Sequence, residues 1–207
     1  MPKGRGWLQK FGLAVAGALV LASPAAAQFS QGYQFLEAVK KKEGDKVTDM
    51  LSQPGSTVVN TRDVTSGETA LHIVTARRDL TWIEFLLAKG ANVNARNGKG
   101  ETPLELATRT SFLEGAQLLI ARGARVDDPS STGETPLISA VHARNVELMR
   151  LLLRAGADPD RADNSGRTAR DYALSEGKGG PLIAEIETNA KPKGQRAGAR
   201  ASYGPSF

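Results

Sequence analysis

"GETALHIV" at residues 67–74, "GETPLELA" at 100–107 and "GETPLISA" at 133–140 are nearly the same eight letters, and they stand 33 residues apart. A weaker fourth copy, "GRTARDYA", begins at Gly166, a further 33 residues along. Self-similarity at this period marks an array of stacked units, none of which can bury its apolar face alone. The spacing decides the fold before any residue propensity is consulted. A chain of 207 residues, 40% of them hydrophobic, is long enough for one such array.

Within the unit that starts at Gly67, Leu71 and Val74 form one apolar stripe, and Trp82, Ile83, Leu86 and Leu87 form another. Their spacing predicts two short amphipathic helices. Thr69 is placed to cap the first helix. Pro103 and Pro136 follow the equivalent Thr102 and Thr135, where a missing N–H costs nothing and the ring pre-sets φ. The second helix is expected to end at Gly90, Gly123 and Gly156, since glycine accepts the left-handed conformation that closes a helix. Between units lie "NVNARNGKG" (92–100), "RVDDPSSTG" (125–133) and "DPDRADNSG" (158–166), rich in Asn, Asp and Gly that suit a hairpin turn.

The pattern G-x-T-P-L-x-x-A, two short helices and L-L-x-x-G-A-x-x-N resembles the ankyrin repeat. The resemblance covers residues 34–187 as five units, roughly 34–66, 67–99, 100–132, 133–165 and 166–187. It implies an all-α solenoid of stacked helix-turn-helix units joined by β-hairpin-like loops. The unit before the three strong ones has altered spacing but carries Leu36, Ala38, Val47 and Leu51. The unit after them has Arg170 where Leu71, Leu104 and Leu137 stand. More polar terminal copies suit an array whose end faces meet water.

The departures from the family pattern carry expectations of their own. The histidine that in the family bonds between neighbouring units is kept only as His72, with Glu105 and Ile138 at the next two equivalent positions. Hydrogen bonding between units is therefore expected to weaken, leaving more to apolar stacking. Arg78, Ser111 and Arg144 stand where the family favours glycine between the helices. Each is expected to carry a strain of roughly 1 kcal/mol in a left-handed conformation.

The inventory for catalysis is thin. His72 and His142 occupy different repeat positions two units apart, and a stack brings only neighbours together. The chain has no cysteine, and the acids of 127–129 and 158–163 fall in turns, where carboxylates accept backbone N–H bonds. Lys178, Gly179 and Gly180 lack the rest of a phosphate-binding loop. Neither an enzyme nor a metal or cofactor is expected.

In the resembled family, hairpin tips and the outer side of the first helices meet a protein partner. In this register those are the tip residues Glu68, Lys99, Glu101, Glu134 and Arg167, and the first-helix residues Arg77, Arg78, Arg109, His142 and Arg144. A basic stripe beside an acidic column implies a protein-binding adaptor or scaffold whose partner carries an acidic patch.

The two ends read differently. Lys3, Arg5 and Lys10 precede the apolar run at 11–22, and Ala25 and Ala27 offer a cleavage site before Gln28. Residues 1–27 are expected to be a Sec-type signal peptide of bacterial character, sending residues 28–207 to the periplasm or outside the cell. That run is shorter than the roughly 20 residues a spanning helix needs. Residues 181–187 are expected to form the last helix, and residues 188–207 a disordered basic tail with four bases and no acid. The tail offers an alternative role, a weak contact with an anionic envelope surface. Of the 27 basic residues, seven lie in these two ends, which leaves 20 against 22 acidic ones. A near-neutral, slightly acidic middle does not suit nucleic acid. The mature chain is expected to be a monomer without a membrane span.

Overall fold

A computed structural model describes residues 30–175 and 180–197 of the chain. The expected signal peptide and residues 198–207 of the tail lie outside the described residues. The described residues form ten α-helices in five successive pairs: α1 (Gln31–Lys40) with α2 (Gly44–Ser52), α3 (Ala70–Ala76) with α4 (Leu80–Ala88), α5 (Pro103–Arg109) with α6 (Leu113–Ala121), α7 (Pro136–His142) with α8 (Val146–Ala155), and α9 (Ala169–Ser175) with α10 (Pro181–Asn189). First helices pack on first helices along the series α1, α3, α5, α7, α9, and α4, α6, α8, α10 pack likewise. The result is an all-α solenoid of two helical layers. Among the described residues, strand pairing is confined to the isolated bridges Arg62–Thr69 and Ala162–Thr168 in the hairpin loops.

Helices of seven residues do not hold in water by themselves, so stacking must hold them. The repeat leucines Leu71, Leu104 and Leu137 are buried, and so are Ile83 and Leu86 of α4 and the equivalent Ala116, Leu119, Met149 and Leu152. They belong to one apolar core that runs from Phe35 to Ile186. Each fully buried leucine contributes about 1.5–3 kcal/mol, which one repeat alone does not collect.

The start and stop residues act as their chemistry predicts. The Thr102 hydroxyl accepts the Glu105 N–H at 3.2 Å and the Thr135 hydroxyl accepts that of Ile138 at 3.3 Å, with Pro103 and Pro136 opening the helices. Arg78, Ser111 and Arg144 have φ of 57°, 51° and 51°, and Lys42 in the first pair has 60°. These tight turns are therefore left-handed without glycine, and the strain is present at four pairs.

At the hairpins the glycines have a second duty. A Cβ on Gly67 would lie 2.6 Å from Gly98 N, and one on Gly133 would lie 2.5 Å from Asn164 N. The tips stack that closely because their backbones bond: Gly98 N–H to Ser66 O (2.7 Å), Ser131 N–H to Lys99 O (3.0 Å) and Asn164 N–H to Thr132 O (3.1 Å).

Two expectations need correction. Bonding between repeats in this register is lost only at Ile138, whose side chain has no polar atom, and is kept or replaced at the other two positions. His72 Nδ1 accepts the Thr69 N–H at 3.2 Å, so Nε2 carries the proton and donates to Glu101 O of the next repeat at 3.0 Å. Glu105 reaches Ser139 one repeat on instead. The ordered chain also runs past residue 187. Helix α10 continues to Asn189, residues 193–195 make a 3-10 turn, and Arg196 is pinned between Asp158 and Asp160. Apolar periodicity is blind to that segment, because polar contacts hold it.

Candidate functional site

The first helices and hairpin tips of neighbouring repeats share one face, and on it the acidic column and the basic stripe meet. Glu101 Oε1 pairs with Arg109 Nε at 3.1 Å. One repeat later Glu134 Oε1 pairs with His142 Nδ1 at 3.2 Å. These are equivalent positions, tip acid to last residue of the first helix, so the repeat itself places the pairs. Arg109 and His142 remain about half exposed, at 49% and 47% of their side chains. Such surface pairs contribute little stability and are readily exchanged for another partner's charges.

Between the fourth and fifth helix pairs this face opens into a groove of about 570 Å³ lined by Glu134, His142, Asp163 and Tyr172 together with Ser131 and Asn164. The His142 ring meets Tyr172 edge-on at 4.5 Å, and the Arg167 guanidinium lies 4.0 Å over the Tyr172 ring. The Tyr172 hydroxyl donates to Asp163 Oδ2 at 2.7 Å. Asp163 also accepts from the hydroxyl of Ser165 (2.7 Å) and the Ser165 and Arg167 N–H groups. Those donors, the Ser165 hydroxyl foremost, hold its carboxyl down at about 2. Of these residues, Tyr and Arg are the types enriched where protein partners anchor.

Beneath this face Ser139 Oγ lies 2.5 Å from Glu105 Oε1 and 2.7 Å from Glu134 Oε1. A hydroxyl carries one proton, so it cannot donate to two carboxylates at once. The second contact requires a proton on one of the acids. Glu105 is 2% exposed, its Oε2 has no hydrogen-bond partner, and burial pushes its carboxyl up to about 7. Glu105 is therefore the acid that takes up a proton first as pH falls: protonated, it donates to Ser139, which donates to Glu134, and ionised, it accepts from Ser139.

The structure brings together Glu101, Arg109, Glu134, His142 and Arg167 of the sequence-predicted residues, and leaves Glu68 beside Ser66 on the first of these tips. Arg78 stands over the Phe112 ring of the next repeat at 5.1 Å. Arg144 and Lys99 are exposed, and the Lys99 backbone accepts from Ser131 N–H and donates to Asn97 Oδ1. Arg77 departs from the expected stripe. Its Nη1 donates to Val39 O at 2.8 Å, its Nε lies 3.3 Å from Asp79, and it packs over Trp82 with 21% of its side chain exposed. It ties α3 to the end of α1. Arg196, one of the four tail bases, is likewise engaged by acids of the array.

Tyr172, Asp163 and Ser139 were not legible as site residues by type. The register held the clue, because Tyr172 stands 33 residues after Ser139, on the same face of its first helix. Among the described residues, no three His, Asp or Glu side chains converge as metal ligands would, and no helix is long and apolar enough to cross a membrane.

Comparison with known families decides the relationship. The sequence profile described as Ankyrin repeats (3 copies) matches residues 35–130, and that described as Ankyrin repeats (many copies) matches residues 119–173. The chain belongs to the ankyrin repeat family. No curated protein matches it in sequence. Ankyrin repeats generally mediate protein–protein interaction, and in this ankyrin repeat chain the stacked tips and first helices carry the paired charges and the aromatic groove described above.

Proposed function

We propose that this ankyrin repeat chain is an exported, non-catalytic adaptor that binds another protein across the face running from Glu101 to Tyr172. The groove at Tyr172 carries this reading. It combines a ring, a guanidinium stacked on it and a neighbouring imidazole, while each base nearby is held only by an exchangeable surface contact. A partner with an acidic surface would replace Glu101 as the counterion of Arg109 and Glu134 as the hydrogen-bond partner of His142, adding Arg167 and Arg144 at the rim. Export is supported by the basic, apolar and small-residue order of residues 1–27.

The test is crosslinking of the chain in native envelope extract, with captured proteins identified by mass spectrometry beside an Arg109→Glu/Arg167→Glu variant. A stoichiometric partner taken by the wild type and lost by the folded variant supports the adaptor. Equal, scattered capture by both would remove it. N-terminal sequencing of the protein from intact cells tests export separately, with Gln28 the expected first residue and a retained Met1–Ala27 segment the contrary result.

A further inference from the structure

The second helices of the three central pairs, α4, α6 and α8, run into Gly90, Gly123 and Gly156, whose carbonyls have no partner within the helix. Along the array an asparagine from the preceding repeat supplies one. Asn60 Nδ2 donates to Gly90 O at 3.1 Å while its Oδ1 accepts the Asn92 N–H at 2.7 Å. Asn94 repeats both bonds, to Gly123 O at 3.2 Å and from Arg125 N–H at 2.9 Å. At the third position of this ladder stands Asp127. Its Oδ1 accepts the Asp158 N–H at 2.8 Å as the asparagines do, but its Oδ2 is buried with no partner. An ionised carboxylate has no N–H to offer Gly156 O.

The missing donor comes from the end of the described chain. Ala197 N–H reaches Gly156 O at 2.8 Å. Beside it Arg196 Nη1 meets Asp158 Oδ1 at 2.7 Å and Asp160 Oδ2 at 2.9 Å, and its Nε donates to Lys191 O at 2.9 Å. The Arg196 side chain is 10% exposed. A Cβ on Gly156, whose φ is 102°, would lie 3.3 Å from Ala197 N, so the segment rests directly on the helix end.

We propose that Gly156 O, Asp158 and Asp160 form a recognition notch for an arginine followed by a free backbone N–H, and that Arg196–Ala197 is its built-in occupant. The strap of residues 191–197 thereby replaces the asparagine that position 127 lacks, and it locks the fourth repeat to the end of the array. Its hold on the array is one guanidinium nitrogen between two carboxylates and one backbone bond, so it is a releasable joint. Burial holds the Asp127 carboxyl above the usual carboxylate range, as expected of a group whose second oxygen has no donor. Opening the strap leaves Asp127, Asp158 and a bare carbonyl without the arginine, while Asp160 keeps its pair with Arg170.

The test uses the full chain as wild type, Arg196→Gln, Asp127→Asn and the double variant, with Ala197 amide exchange by NMR and thermal unfolding as readouts. In the wild type the Ala197 amide should exchange at least tenfold more slowly than in Arg196→Gln, which should also unfold at lower temperature. Asp127→Asn restores the donor to Gly156 O, so it should recover the melting temperature of Arg196→Gln by more than it raises that of the wild type. Trypsin gives an independent readout: cutting after Arg196 should be slow in the wild type and at least tenfold faster in Asp158→Asn/Asp160→Asn. An unprotected Ala197 amide in the wild type, or strictly additive effects of the two substitutions, overturns the proposal.

Discussion

Glu105 and Ser139, side chains of adjacent first helices, stand 2.5 Å apart in the buried layer under the charged face. Glu105 occupies the register of His72, whose imidazole bridges repeats as a neutral donor. A carboxyl in the same register leaves the Ser139 proton free for Glu134 only while it keeps its own. Desolvation is the largest influence favouring that proton, joined by Glu134 and Glu101, while the Ser139 hydroxyl and Arg109 oppose it.

That proton makes stability depend on pH. With its carboxyl at about 7 in the fold against 4.5 for an ordinary glutamate, Glu105 binds a proton more tightly folded than unfolded. Its contribution is fully present below about pH 4.5 and is lost as pH rises to about 7, on the order of 3 kcal/mol in all. Urea unfolding of the wild type and Glu105→Gln across pH 4–8 should show the variant lacking this slope. Identical slopes would mean the fold leaves the Glu105 carboxyl at its ordinary value.

His72 runs the other way. Burial lowers its imidazole below the usual histidine range, so on acidification the unfolded chain is protonated first and stability falls as pH drops below about 6.5. His72→Ala should cost about 1–3 kcal/mol at pH 7, because Glu101 O and Thr69 N–H lose their partner. It should also remove this acid-side loss. Chemical unfolding at pH 5 and 7 checks both.

Arg77 and Arg109 look alike in sequence and should behave oppositely. Arg77→Ala removes the bond to Val39 O and should cost about 1.5–3 kcal/mol in urea unfolding. Arg109→Ala breaks an exposed pair with Glu101 and should change stability by less than about 1 kcal/mol. Partner capture should respond in the reverse order.

Ser111 holds φ of 51° with no ring contact to offset the strain. Ser111→Gly should therefore raise stability, by up to about 1 kcal/mol after the added freedom of the unfolded chain is counted. Arg78→Gly should gain less, since it gives up the Phe112 ring. Thermal unfolding of the two variants separates the effects.

The 33-residue period of the "GET" octapeptides by itself determined the architecture: paired helices, glycine stops, threonine–proline starts and hairpin tips all follow from local rules applied at equivalent positions. The same register placed Glu101, Glu134, Arg109 and His142 on one face. Only the tertiary structure decided which charges meet. Arg77 turns back to Val39 although its neighbour Arg78 reaches forward to Phe112, and one residue of rotation about a left-handed turn separates the two outcomes. The proton shared at Ser139 depends on three side chains from two repeats converging in a desolvated space, which spacing alone does not encode. The strap at Arg196 was hidden for a related reason. Periodicity reports apolar burial, whereas an arginine between two aspartates and an N–H on a helix-end carbonyl are held by polar geometry that exists only once the array is stacked.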